Sequence, residues 1–306
     1  MEDIRALILA GGGAKGSYEV GGLRKWIVED GLNYKIIVGN SVGCINGVKL
    51  AHAPWDGGNE ALAEEAKELA DWWGQLDNDK IFRKRWPWGL PALWNNSVFT
   101  TEPLQKMLQD RIDPEKLRAS GREFRGIYLG WKTADIHVFD QNDEHPAEKT
   151  YFSASYPVFF EPGELDGVLY TDGGLRDIAP MKHALEMGAT HVDVILTSDP
   201  DPPDGWETDG KKSLDYAFRT LDIMGKEILV SDVRTCRDRN LIGGLAAFCK
   251  DKGLELPERL KPAERFKPVE LRVLKPTASV GTSFDFSPEA TEQRLAQGYE
   301  DACALG

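Results

Sequence analysis

The sequence predicts an α/β protein with a mainly parallel sheet, and three observations carry that expectation. Ile4 to Ala10 is a continuous apolar run that stops at Gly11-Gly12-Gly13. Lys35 to Val38 is a second apolar run, stopping at Gly39-Asn40-Ser41-Val42-Gly43. After each run the apolar residues repeat at helical spacing, so the chain opens strand, helix, strand, helix. Strands that alternate with helices pair in parallel and present chemistry at their carboxyl ends. A chain of 306 residues, 41% hydrophobic and 28% charged, has material for one large core or two small ones.

The elements follow in order. The helix after the first strand carries Val20, Leu23 and Ile27 on one face and stops at Gly31. The helix after Ser41 runs towards Ala53. From Asn59 to Leu76 a strongly amphipathic helix aligns Leu62, Ala66, Leu69, Trp73 and Leu76. Ile81 to Phe99 is irregular, rich in Trp and Pro, and sets Arg83-Lys84-Arg85 beside Trp86, Trp88 and Trp94. A helix is expected over Thr101 to Ile112, and a hairpin joins Phe124–Trp131 to Ile136–Phe139. A small-residue helix from Lys149 to Ser155 precedes Pro157. Val168 to Tyr170 is a short strand ending in Thr171-Asp172-Gly173-Gly174. A helix from Met181 to Met187 closes at Gly188, and His191 to Thr197 is a buried strand. Ser198 to Gly210 is an acidic, Pro-rich loop without calcium-loop spacing, read as solvated. A long helix spans Ser213 to Arg234 with Leu214, Phe218, Leu221 and Ile228 inward. A late strand covers Phe266 to Leu274. Ser287-Pro288 opens a terminal helix carrying Leu295, Tyr299 and Ala302.

A net charge of −13 argues against nucleic acid as a partner and against attraction of the whole protein to anionic lipid. A local basic patch is compatible with it. Neither a leader nor a spanning run is read from the sequence, so the expected location is cytoplasmic. Peripheral membrane contact and export without a leader stay open. Cys44, Cys236, Cys249 and Cys303 lack metal spacing and read as reduced structural thiols.

Three short stretches hold the candidate chemistry. Gly39-Asn40-Ser41-Val42-Gly43 fits a nucleophile elbow, a sharp strand-to-helix turn that lifts a serine hydroxyl clear of the sheet. It equally describes an ordinary βα turn. Gly11 to Gly16 matches the glycine spacing of a dinucleotide loop, but the second strand ends in Gly39-Asn40-Ser41 where a ribose-binding acid is wanted. A phosphate loop fails too, because Ser17 follows Gly16. What the glycines do offer is free backbone N–H groups at a helix start, suited to an oxyanion. Asp172-Gly173-Gly174, a tight turn in isolation, puts a carboxylate at a strand end. The histidines fit a serine less well. His52 lies roughly 16 Å along the helix from Ser41. His183 falls inside an amphipathic helix and stays an alternative base.

Together these residues resemble the patatin-like phospholipases. Ala10 to Gly16 looks like the family's oxyanion motif, Gly39 to Gly43 its nucleophile elbow, and Asp172-Gly173-Gly174 its Asp-Gly-Gly/Ala motif. Phe152 to Phe160 and Phe284 to Ala302 are similar to further family segments, while Tyr156 and Ile178-Ala179 depart from it. The resemblance implies a single three-layer α/β/α domain over 1–306. Residues 54–100 would be a helical, Trp-rich cap or lid, and 198–262 a variable insert. It also implies a serine acyl hydrolase of phospholipase A or lysophospholipase type, with a Ser41–Asp172 dyad and a lipid acyl ester as substrate. The N–H groups of Gly11, Gly12, Gly13 and Val42 would form the oxyanion hole, with Lys15, Gly16, Gly39, Gly43, Gly173 and Gly174 as motif support. No cofactor or metal is called for. Arg83, Lys84, Arg85, Trp86 and Trp88 have the composition of an interfacial patch, and also of tryptophans packed into a cap with a basic rim. An acyltransferase with the same dyad and a non-catalytic lipid- or nucleotide-binding module are the competing functions.

Overall fold

The computed structural model describes residues 3–84, 97–201 and 213–305. In chain order the strands are β1 (Arg5–Leu9), β2 (Ile36–Asn40), β3 (Arg83–Lys84), β4 (Phe99–Thr100) and β5 (Glu123–Gly130). They continue with β6 (Ile136–Asp140), β7 (Gly163–Leu165), β8 (Val168–Asp172), β9 (His191–Ile195) and β10 (Glu270–Leu274). The helices are α1 (Gly16–Leu23), α2 (Val42–Leu50), α3 (Gly58–Gly74), α4 (Asn78–Ile81) and α5 (Glu102–Arg111). Then come α6 (Pro114–Ala119), α7 (Pro146–Ala154), α8 (Met181–Glu186), α9 (Ser213–Asp251) and α10 (Pro288–Leu305).

Among the described residues, eight strands form one sheet in the order β10-β9-β1-β2-β5-β8-β7, with β6 also paired to β5. From β10 to β5 every neighbour is parallel. Strands β6 and β8 run antiparallel to β5, and β7 antiparallel to β8. The parallel strands are buried on both faces, which is why they read as unbroken apolar runs. Leu7, Leu9 and Ile37 face a core shared with residues of α1, α2, α3 and α7. Ala6, Ile8, Val38 and Val194 face the opposite core, with Ala184 of α8 and Leu229 and Val233 of α9. Helices on both faces of the sheet make three layers, as expected.

The differences from the sequence reading have local causes. Strand β2 runs on through Gly39-Asn40, paired with Gly126 and Ile127, because a glycine in a fully paired strand meets no competing turn. Strand β8 likewise extends to Asp172, paired with Tyr128. Helix α7 starts at Pro146, whose fixed φ suits a first turn. The turn at Asp113-Pro114 starts α6, which the sequence reading passed over, with Asp113 Oδ1 capping Glu115 and Lys116. Helix α9 continues to Asp251 instead of stopping near Arg234. Arg85, Trp86, Trp88 and Trp94 lie outside the described residues, as do most of the Ser198–Gly210 loop and the inward faces expected for Leu214, Phe218 and Leu221. Arg83 is exposed. No helix among the described residues is long and apolar enough to cross a membrane.

Candidate active site

Strand β2 delivers Ser41 directly into α2, so the turn has no spare residue. Ser41 takes φ 53° and ψ −127°, a strained conformation for a side chain with a Cβ. The surrounding packing holds it there. The Ser41 N–H donates to Ser153 Oγ of α7 at 2.8 Å. Behind the turn, helix and strands touch backbone to backbone. A Cβ on Gly39 would lie 2.3 Å from the Gly43 carbonyl oxygen, and one on Gly43 2.2 Å from that of Leu9. Only glycine permits this approach.

Asp172 ends β8, which takes up the same edge of β5 that β2 leaves at Asn40, beside Ser41. Asn40 pairs with Ile127, and the adjacent Tyr128 pairs with Asp172. Strand β6 fills the other edge of β5, so the ends of β2 and β8 abut there and their side chains converge. The Asp172 carboxyl is buried and meets the Ser41 hydroxyl. Its Oδ1 accepts the Gly174 N–H at 2.7 Å and Asn40 Nδ2 at 3.4 Å, which fixes the rotation of the carboxylate. Burial pushes its pKa from 3.8 to about 6, against hydrogen bonds from Ser41, Gly174 and Asn40 that pull it down. A more basic, still ionisable carboxylate results.

The glycine loop lies beside this pair. A Cβ on Gly11 would be 3.2 Å from Ser41 Cβ. Gly11 itself departs from its expected role as an oxyanion donor. Its N–H is committed to the Ile178 carbonyl at 3.0 Å, and its own carbonyl accepts Thr197 Oγ1. Gly13 has φ +59°, which turns the chain into the short helix before α1, and Ala14 N–H goes to Ser283 O at 2.8 Å. The N–H groups of Gly12, Gly13 and Val42 have no acceptor among the described residues. Lys15 reaches Ser198 Oγ at 3.2 Å. Gly16 packs against Val42, and Gly173 and Gly174 against Asn40.

Neither His52 nor His183 is hydrogen-bonded to Ser41. His52 Nε2 accepts the Asp113 N–H at 3.3 Å. His183 Nε2 lies 4.0 Å from Asp177. Burial lowers both to about 4, so each is neutral near pH 7. Among the described residues no group of three His, Cys, Asp or Glu side chains could hold a metal ion.

Sequence reasoning missed Asn40 and Ser153 as supports, and it assigned Trp73 to the core alone. Asn40 occupies a variable position of the elbow pattern, and Ser153 an unremarked small-residue helix. Trp73 and Val42 line a narrow apolar slot of about 40 Å³ over Ser41, with Leu104, Met107 and Phe286. Helical periodicity gives a slot wall and a core residue the same signature. A larger cavity, about 500 Å³, lies between α5, α7 and β7 near Gln105, Trp131 and Glu164, and contains none of the expected site residues.

A family model described as patatin-like phospholipase matches residues 7–185. No curated protein matches the chain. Among solved structures, VipD from Legionella pneumophila is 12% identical, with a TM-score of 0.45 over 99% of this chain and 67% of that one. The type III effector protein ExoU is 13% identical, with a TM-score of 0.41 over 99% of this chain and 52% of that one. The family match runs from β1 through the elbow and the Asp172 turn into α8, more than half of the sequence. The chain therefore belongs to the patatin-like phospholipases, a family of lipid ester hydrolases.

Proposed function

We propose that the chain is an acyl hydrolase of phospholipase A or lysophospholipase type, with Ser41 as nucleophile and Asp172 as its base. The observation that carries this reading is the meeting of the Ser41 hydroxyl with a buried carboxyl whose pKa is raised to about 6. Asp172 takes the hydroxyl proton as Ser41 Oγ attacks the ester carbonyl. The resulting oxyanion accepts hydrogen bonds from Gly12, Gly13 and Val42, aided by the positive end of α2. Collapse breaks the ester C–O bond, Asp172 returns the proton to the leaving alcohol, and an acyl-serine remains. Asp172 then deprotonates a water that attacks the acyl-serine, releasing a fatty acid and restoring Ser41.

The slot of about 40 Å³ has room for little more than one water-sized body, so an acyl chain enters only when its walls part. We assign that movement to the described residues of the 54–100 cover, 54–84 and 97–100, with 198–262 read as an insert in one domain over 1–306. The aromatic contacts of this cover include Trp73 on Phe286 and Phe82 on Phe99, at centroid distances of 6.1 and 4.4 Å. Contact with a lipid surface through Arg83, Lys84, Arg85, Trp86 and Trp88 belongs to the same reading.

The test compares wild type with Ser41→Ala and Asp172→Asn on short p-nitrophenyl esters and on mixed phospholipid micelles. Both variants are expected to fold and to lose at least ~100-fold in turnover. Full activity in Asp172→Asn would reject the dyad, and Ser41→Ala turnover at the wild-type level would reject the nucleophile.

A further inference from the structure

Asp232 is a half-buried carboxylate within α9, and no step of the reaction uses it. Its Oδ2 accepts two backbone donors, the N–H of Ile178 at 2.8 Å and that of Ala179 at 3.1 Å. The Ile178 carbonyl in turn holds the Gly11 N–H at 3.0 Å. Just before it, the N–H groups of Arg176 and Asp177 both donate to the Gly173 carbonyl, at 2.9 and 3.0 Å. Residues 176–179 are thus tied to the turn after Asp172, to the first glycine of the oxyanion loop, and to α9. Gly225 backs the same loop, since a Cβ there would lie 3.5 Å from Ile178 Cδ1.

We infer that Asp232 is a positioning residue: by gripping the Ile178 and Ala179 amides it sets the Gly11 peptide, and through it the aim of the Gly12 and Gly13 N–H groups at Ser41. This inference rests on the reading of Ser41 as nucleophile. The physics is that of donor placement. An oxyanion hole works only when its N–H groups point at a spot fixed to within a fraction of an ångström. The Gly11-Gly12-Gly13 run has little stiffness of its own, so its direction must come from outside. One side-chain oxygen accepting two amides supplies that direction from a helix outside the loop. Burial and the neighbouring Asp177 raise the Asp232 carboxyl to about 7, and Lys182 opposes them. An acceptor oxygen survives protonation, so asparagine is the faithful replacement.

The test joins amide hydrogen exchange to kinetics in Asp232→Ala and Asp232→Asn. In Asp232→Ala the amides of Gly11, Ile178 and Ala179 should exchange at least ~10-fold faster, with β9 and α10 unchanged. Its kcat on a short ester should fall ~10- to 100-fold while KM holds. Asp232→Asn should stay within ~3-fold of wild type in both readouts. A Gly11 amide that exchanges at the wild-type rate in Asp232→Ala overturns the inference, and so does equal loss in the Asn and Ala variants. Should Asp232→Ala fail to fold, Asp232→Ser, too short to reach both amides, carries the same comparison. Exchange is read without turnover, so a chain inactive even as wild type would refute the hydrolase reading while leaving the anchor testable.

Discussion

Ser41 and Asp172 show how residue conformation and burial become reactivity. A free aspartate is too acidic to serve a serine near neutral pH. Here burial moves the carboxyl to about 6 without removing its hydrogen bonds. Two consequences follow. The rate kcat/KM should fall with one-proton steepness as pH drops through about 6, measured on a soluble ester. For stability the direction is opposite. The folded pKa of about 6 exceeds the unfolded value near 3.8, so this group's stabilising contribution is full below pH 3.8 and lost above about 6. Removing the ionised carboxylate should therefore help the fold at high pH. Asp172→Asn is expected to be more stable than wild type by up to about 3 kcal/mol at pH 8, and no more stable at pH 3, by denaturant unfolding at the two pH values. At this scale the sequence was informative wherever chemistry fixes the residue type. The serine, the aspartate and the glycines at the close approach were all readable. Asn40 and Asp232 were not, because a hydrogen bond between residues distant in sequence leaves no local pattern.

Among the elements, the sheet order places the site. Strand β5 holds the ends of β2 and β8 next to each other on one edge, and so brings the two side chains together. That β8 is antiparallel to β5 was not readable, since a short strand after a long connection carries no sign of its direction. The strand runs and the amphipathic helix α3 were readable from periodicity alone. The function of the α3 face was not, since Trp73 contributes both to the core and to the slot above Ser41. Phe286, stacked on Trp73, lines the same slot. Phe286→Ala should enlarge the entrance and raise kcat/KM for long acyl esters several-fold over short ones, on the order of a 1 kcal/mol difference. An unchanged chain-length profile would place the acyl path elsewhere.

For the whole molecule, the net charge of −13 sets the long-range field. Approach to an anionic lipid surface is repulsive beyond a Debye length, about 10 Å at 0.1 M salt. Binding to anionic vesicles should therefore strengthen as salt rises from 0.01 to about 0.15 M, with zwitterionic vesicles little affected. A fall with salt in co-sedimentation would mean that the basic cluster near Arg83 governs docking. The three-layer arrangement was legible because burial on both faces makes parallel strands continuously apolar. The extent of α9 was not, because much of it is exposed and its periodicity weakens along the 39 residues.

The dyad is tested most directly by the rate at which a fluorophosphonate phosphonylates Ser41, with loss of fluoride, followed against pH in wild type and Asp172→Asn. Labelling is expected at Ser41 alone, rising through pH about 6 in wild type and at least ~100-fold slower, without that rise, in the variant. Labelling of Asp172→Asn at the wild-type rate, with the same pH profile, would contradict the dyad.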